Sequence, residues 1–417
     1  MNFITDHILR NPPILLGLIA LIGLAMQRKS ISDIIKGTLS AAFGMIALST
    51  GVSMLVKAIL PLNQAVQVQL GVEVAEGLSD VTFVAEYGGD VGLAMFFGLA
   101  IHLLIARFTP VKTIFLTGHM LWWFPFIFVA GGVEAGLSGT VLISLGAVLS
   151  ALYWSFMPWI MRKYVWDATG DDSFLIGHPT GILSLIAGFV AKRVGNKEKS
   201  TEDLNIPEGL GFFREISITG AIVMFIMNIV VGLIAPVTIP EGDNIVMFAI
   251  NAGLNFAAGL LIMLYGVRLL INQIIPAFQG IAENLVPNAK PAFDVPILFN
   301  YKPNAVIIGF IVAMITSTIL IVIANSSNIF GILLVPLVIT SFFEVGGAAV
   351  IADGQGGLRG AIIGTTVASV AMVALVGISA VMFGETIRNW LLIFGGNDLS
   401  LFGIIGRIIG GLFGGFA

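Results

Sequence analysis

Apolar positions run almost unbroken along this chain, with only short polar interruptions. Continuous apolar stretches lie at 12–27, 37–60, 91–106, 138–161, 216–239, 245–271, 304–324 and 360–383. Each approaches or exceeds the length at which a helix crosses a bilayer. Two further stretches, 114–130 and 329–345, are barely long enough to span and end in the glycine-rich runs GGVEAGLSG and GGAAVIADGQGG. They predict re-entrant hairpins or short helices that end in flexible turns. Counting short and broken segments, the pattern predicts about ten or eleven membrane segments in an all-α polytopic protein.

The pattern is also written twice. Residues 39–64 match residues 254–279 without a gap at Leu39/Leu254, Ala42/Ala257, Gly44/Gly259, Gly51/Gly266, Val52/Val267, Leu55/Leu270, Ile59/Ile274, Pro61/Pro276 and Gln64/Gln279. Shared glycines, a proline and a glutamine at fixed spacing exceed what apolar composition alone produces. They predict a transporter built from two related halves around a central site. Arg28, Lys29 and Lys36 follow the first apolar run, whereas the matching loop 239–244 has no Lys or Arg. Arg107 and Lys112 are likewise matched by the uncharged 324–328. By the positive-inside rule the equivalent loops lie on opposite sides, which makes the repeat inverted. The expected organisation is a first repeat at 1–191, a cytoplasmic linker at 192–215 rich in Lys and Arg, and a second repeat with a terminal helix at 216–417. The polar N-terminus carries no cleavable signal pattern, so the first helix is expected to stay.

Composition narrows this further. The chain has 417 residues, of which 57% are hydrophobic and 11% charged, and its mean hydropathy is +1.01. That much apolar surface requires lipid as solvent. There is no cysteine, which excludes disulfides, thiolate metal sites and a phosphocysteine on this chain. No stretch resembles a nucleic-acid patch, and no HExxH, Walker A or Rossmann fingerprint occurs. No metal or other cofactor is expected. Gly406, Gly410 and Gly414 recur every four residues, which fits either a dimerisation face or internal packing.

Candidate chemistry sits in the interrupted segments. Asp80 and Asp294 each precede a tyrosine, Tyr87 or Tyr301, by seven residues, in TFVAEYGGD and PILFNYKPN contexts. Such broken segments at matching places in two halves point to a binding site, and a carboxylate there accepts hydroxyl hydrogen bonds. Asp294, between Pro291 and Pro296, is the stronger candidate; Asp80, with Thr82 and Tyr87 beside it, is the weaker, nearer the surface. His119 and His178 both follow a glycine, in LTGHMLWW and LIGHPTG. A histidine within a membrane protein ordinarily faces the interior and is functional. His102, in a plain apolar run, reads as a packing residue. Trp122, Trp123 and Phe124 form either a stacking wall for a sugar ring or interface anchors. Glu134, Glu344 and Asp353 near the glycine-rich turns read as rim charges. Gly136-Leu137-Ser138-Gly139 matches the GxSG of intramembrane serine proteases, but Ser138 at a helix start reads as an N-cap.

RKSISDIIKGTL at 28–39, TGH at 117–119, SFLIGH at 173–178, KSTEDLNIP at 199–207 and AFDVPILFNYKPNAVIIGF at 292–310 occur in this order and spacing. Together they resemble the ascorbate-type permease, component IIC, of the bacterial phosphoenolpyruvate-dependent phosphotransferase system (PTS), and more distantly the galactitol-type permease. The resemblance covers nearly the whole chain. It implies a homodimer in the bacterial inner membrane, two inverted five-span repeats with an added helix, and a dimerising domain plus a substrate-carrying core that moves as an elevator. It places His119, His178 and Asp294 on the family's substrate-site positions. Where ascorbate members carry glutamine, this chain has Trp123 four residues after His119, and Pro179 followed by Thr180 after His178. Both amides that bind ring oxygens are therefore replaced. The function implied is inward translocation of ascorbate or a related sugar acid or polyol, for phosphorylation by a partner IIB protein supplied by IIA, with no phosphorylated residue on this chain. The alternatives are a proton- or sodium-coupled secondary transporter using Asp80 and Asp294 and, more remotely, the serine protease.

Overall fold

The computed structural model describes residues 11–70, 80–204, 215–234, 239 and 244–414. The first part of the chain is helical: α1 (Pro12–Met26), α2 (Ile31–Leu70) and α3 (Asp80–Phe108) precede a short strand β1 (Thr113–Phe115). Then come α4 (Met120–Glu134), α5 (Gly139–Thr169), β2 (Leu175–Ile176) and α6 (Gly181–Val194). The second part holds α7 (Ile216–Ile234), α8 (Ile245–Leu285), β3 (Lys290–Phe293), the one-turn α9 (Pro296–Phe299) and α10 (Pro303–Ser326). It closes with α11 (Val338–Met382), α12 (Arg388–Phe394) and α13 (Asp398–Phe413).

Six of the described helical segments are long and apolar enough to cross a membrane, and Met120–Glu134 and Ser217–Leu233 are shorter apolar helices. Their exposed surface is studded with large apolar side chains such as Phe43, Phe96, Leu104, Leu233, Leu254 and Ile315, as lipid contact requires. The chain is an all-α polytopic membrane protein with one small exception, the strands. Of the other expected stretches, 12–27 forms the 15-residue α1, and 329–345 is irregular chain up to the start of α11 at Val338. Loop 239–244 and residues 205–214 of the linker lie largely outside the described residues.

The duplicated stretches form two long helices, α2 and α8, each carrying its repeat proline inside the helix (Pro61 and Pro276). At 40 and 41 residues each runs about 60 Å, roughly twice the hydrocarbon thickness. They pack against each other antiparallel. Gly37 lies against Gln273, Gly51 against Gly259 and Met263, and Gly259 against Met54 and Leu55. As numbers rise along α2 they fall along α8. A Cβ on Gly51 would stand 2.6 Å from the Gly259 carbonyl oxygen, so the backbones touch only because both positions lack side chains.

The glycine stripe of α13 is used inside the molecule. Gly406 meets Phe128 and Leu149, Gly410 meets Ala135, and Gly131 of α4 backs onto Gly403 and Arg407. Internal packing of α13 on α4 and α5 thus takes up the face that the spacing also offered to a dimer.

Two acidic residues read as rim charges prove to be buried. Asp353 is 2% exposed. It accepts hydrogen bonds from the Thr201 N–H (2.7 Å) and Ser200 Oγ (2.8 Å), and it pairs with Lys302 Nζ at 2.5 Å. Glu202 Oε1 accepts from the N–H groups of Asn304 and Ala305 at the start of α10. Beside this clasp α11 breaks at Gly356 and Gly357, the latter at φ +59°. There the Asn196 N–H donates to the Gly356 carbonyl and the Leu358 N–H to the Lys199 carbonyl. The start of the linker is thereby tied to α10 and α11. Glu344 is 4% exposed and lines an internal cavity instead of a rim; Glu134 is half-buried and accepts from the Glu385 N–H and Thr386 Oγ1.

Asp353→Asn is expected to loosen this clasp, because Lys302 loses its counter-charge while partly buried. The cost is about 3 kcal/mol. Limited trypsinolysis at Lys197 and Lys199 should then accelerate well beyond the wild-type rate. Identical digestion of both proteins would show that the clasp does not hold the linker.

Candidate functional site

Three short strands gather the predicted polar residues. They form one parallel sheet in the order β1-β3-β2, with Thr113 opposite Lys290 and Ile176 opposite Phe293. The ladder continues past the strand ends through Leu116 N–H to the Ala292 carbonyl and Gly177 N–H to the Phe293 carbonyl. Because the strands are parallel, their carboxyl ends fall on one side. His119, His178 and Asp294 follow those ends directly, in the position where open α/β sheets place ligands. Strands of two to four residues inside apolar sequence leave no alternation to read, which is why the sequence pattern did not predict them.

Buried side chains hold the sheet in place. His102, expected as a packing residue, is 1% exposed. Its Nε2 accepts the Phe115 N–H at 3.1 Å, and its Nδ1 lies 2.8 Å from Ser155 Oγ. It therefore anchors β1 to α5. Gly177 is held close to the Phe115 ring, where a Cβ would come within 2.8 Å of the ring edge. The glycine before His178 thus serves packing of the two outer connections.

The three polar side chains converge. Asp294 Oδ1 lies 3.6 Å from His178 Nε2, and Asp294 Oδ2 lies 3.9 Å from His119 Nδ1. The two imidazole centroids are 6.2 Å apart. Asp294 and His178 are 2% and 5% exposed. Asp294 Oδ1 also accepts the Val295 N–H at 2.8 Å. The backbone of His178 is fixed from behind: Tyr153 Oη donates toward its carbonyl at 3.2 Å and to Asp398 Oδ2 at 2.5 Å. Asp398 in turn accepts the N–H groups of Gly181 (3.0 Å) and Ile182 (2.7 Å), and its own N–H donates to the Pro179 carbonyl.

These residues open into a cavity of about 650 Å³, lined also by Met120, Trp123, Met263, Pro296, Ile339, Phe343, Glu344, Trp390, Phe394 and Leu399. Its composition matches a small-molecule site, mostly apolar with a few convergent polar groups. Trp123 packs on Trp390 with centroids 5.0 Å apart, which makes an aromatic wall. Trp122 and Phe124 are buried in the core and are neither wall nor interface anchors. A second hollow of about 720 Å³, between α2 and α8, holds Lys57, Asn251 and Asn255 but no carboxylate or histidine among its lining residues.

The other predicted residues lie elsewhere. Thr180 is buried behind the site, with Oγ1 donating to the Glu344 carbonyl at 2.6 Å; Pro179 is buried and meets Asp398. Thr82 is exposed, and Tyr87 stacks on Phe83 at 5.0 Å; neither lines this cavity. Asp80 opens α3, and its side chain lies outside the described residues. Ser138 is the exposed N-cap of α5, outside the cavity. Met263, Ile339, Glu344, Trp390 and Phe394 were not foreseen as site residues. Only Glu344, a carboxylate in an apolar run, carried a signal that could have found it.

The ligand atoms of His119, His178 and Asp294 lie within 4.8 Å of one another. Two imidazoles and a carboxylate at that spacing also suit a divalent cation. As they stand they present hydrogen-bonding groups of both kinds to a polar molecule in an apolar chamber.

Fold and site together define a multi-pass membrane protein with a buried cluster of polar side chains in an apolar chamber. The PTS sugar-specific permease component family matches residues 7–398, and the chain belongs to that family. It is also 26% identical to the ascorbate-specific PTS system EIIC component of Mycoplasma pneumoniae, over 86% of this chain and 63% of the relative. The chain thus spans less than two thirds of the length of that curated relative.

Proposed function

We propose that this chain is the IIC permease of a PTS: it binds a sugar-like substrate, ascorbate or a related sugar acid or polyol, in the His119–His178–Asp294 cavity and delivers it inward. The observation that carries this reading is the convergence of those three residues at the ends of three parallel strands, in a cavity walled by Trp123 and Trp390. Polyhydroxy compounds need several converging hydrogen-bond partners and a flat apolar wall for their C–H faces. A phosphocysteine on a partner IIB protein, recharged through IIA, then passes its phosphoryl group to a substrate hydroxyl. This chain positions the substrate and controls access to it, and no residue of its own carries the phosphoryl group.

An elevator movement and a homodimer complete the proposal. All three polar residues ride on the unit built from the short strands and their helices, whereas Met263 faces them from long α8. A cavity between a site-bearing unit and a long helix pair lets one slide against the other. Reconstitution in proteoliposomes tests the function. Accumulation of substrate as its phosphate is expected only with IIB, IIA and phosphoenolpyruvate present. Strong accumulation driven by a proton or sodium gradient alone would overturn the proposal in favour of a secondary transporter.

A further inference from the structure

The cavity holds a second carboxylate. Glu344 is 4% exposed and lines the same chamber as Asp294. It sits in a single π-helical turn, Ser341–Val345, within α11. Such turns displace the helical ladder locally and recur at functional sites. Two contacts fix the residue. Thr180 Oγ1 donates to its carbonyl at 2.6 Å, which ties it to the His178 loop. Asn397 Nδ2 donates to Oε1 at 2.6 Å, while Asn397 Oδ1 accepts the Leu399 N–H and so caps α13. The other carboxylate oxygen, Oε2, is buried without a hydrogen-bond partner, and so is Nδ1 of His178. A native protein leaves few such groups unmatched, and each calls for an explanation. Glu344 lines the chamber with one oxygen held and the other without a partner in the protein, so a ligand hydroxyl entering the chamber can supply the missing hydrogen bond.

The chamber also lacks a permanently charged cation: none of its described lining residues is Lys or Arg. The N–H groups that open α6, at Gly181 and Ile182, already donate to Asp398. Those that open α4, at Met120 and Leu121, donate to the carbonyls of Thr117 and Gly118. Neither helix start therefore offers free donors to a negative charge, the usual anion site at such ends. An acid anion brought into this space meets two acidic side chains, Asp294 and Glu344, and no Lys or Arg among the described lining residues to pair with it, and burying an unpaired charge is costly.

We propose that Glu344 contacts the substrate and selects its charge: Oε2 accepts a hydroxyl of an uncharged polyhydroxy compound and excludes the corresponding acid anion. This rests on the permease reading above and narrows its substrate class. The aromatic pair Trp123–Trp390 covers the C–H face of such a compound, and its hydroxyls satisfy Asp294, Glu344 and the histidines together. The negative element, a carboxylate placed against the wrong ligand, is the device that binding sites use to discriminate.

The test uses the full chain in nanodiscs and isothermal titration with a matched pair, a linear pentitol or hexitol and its aldonate, with ascorbate as a third ligand. Wild-type protein is expected to bind the polyol at least about tenfold more tightly than the aldonate or ascorbate. Glu344→Gln, which preserves shape, should weaken the polyol about tenfold and bring the two affinities to within about threefold, as expected for losing a hydrogen bond to a charged acceptor. If the amide variant does not fold, Glu344→Asp keeps the charge but shortens the reach; it should weaken the polyol while still rejecting the acid. Tighter wild-type binding of the aldonate or ascorbate would overturn the proposal, as would a Glu344→Gln variant with an unchanged preference. In those cases Asp294→Asn still abolishing binding would leave the permease reading standing. Binding of no sugar-like compound to the wild type would end both.

Discussion

Asp294→Asn should abolish substrate binding while leaving the protein folded. The carboxylate lies within 4 Å of both site histidines and is 2% exposed. The amide keeps the volume and can still accept the Val295 N–H that Oδ1 accepts now. What it loses is a charged acceptor, and hydrogen bonds to charged groups are about twice as strong as neutral ones. It also turns an N–H₂ toward groups that faced an acceptor. The affinity is expected to fall by at least about 100-fold, or ~2.8 kcal/mol, below what the titration detects, with the thermal midpoint shifted little because the residue packs no hydrophobic core. Titration calorimetry reads the first and a fluorescence melt the second. An unchanged binding isotherm would refute the site assignment, whatever the substrate.

The second large effect is structural and reaches the site from outside. Gly51→Val places a branched side chain where α2 and α8 touch. The first added atom already collides with the Gly259 carbonyl and with the backbone nitrogen and Cβ of Met263. Two are helix backbone atoms and the third is a Cβ fixed by the backbone, so none can turn aside as the far end of a flexible side chain does. Overpacking of this kind costs about 1–3 kcal/mol, more where two backbones must separate. Met263 also lines the substrate cavity, so moving α8 should weaken binding together with stability. Gly411 supplies the control: a Cβ there meets nothing within 4 Å, and Gly411→Ala in helix α13 should be neutral or stabilise by about 0.5–1 kcal/mol. A Gly51→Val protein that melts and binds like wild type would show that the α2–α8 contact is not close.

The residues concerned were legible in the sequence to different degrees. Gly51 and Gly259 stood out as members of the duplication, but through different pairs, Gly51/Gly266 and Gly44/Gly259. Their actual contact, Gly51 on Gly259, follows from the antiparallel packing of the copies and from no alignment of them. His119 and His178 announced themselves by a preceding glycine and Asp294 by its proline-flanked break, since polar residues inside apolar segments are costly and so are seldom incidental. Glu344 carries the same signal but reads as a rim charge in the sequence, because it adjoins a glycine-rich run that predicts a turn. That run instead continues as buried helix through 346–355, with its break only at Gly356 and Gly357. Trp390, Met263 and Phe394 looked like any other apolar residue of a membrane helix.

The sequence by itself determined the solvent, the class of fold, the duplicated stretch that becomes α2 and α8, and the polar residues worth attention. These follow from composition, segment length and repetition, which are local or one-dimensional properties of the chain. Only the tertiary structure decided that three strands of two to four residues would align in parallel and bring His119, His178 and Asp294 to one edge. It also decided that Glu344 would face the same chamber with one oxygen uncommitted, and that the C-terminal glycines would be spent on α4 and α5. The physical reason is common to all three. Pairing of distant segments is set by backbone hydrogen bonds and close packing between elements more than 50 residues apart, and in a uniformly apolar chain periodicity carries almost no information about which elements meet.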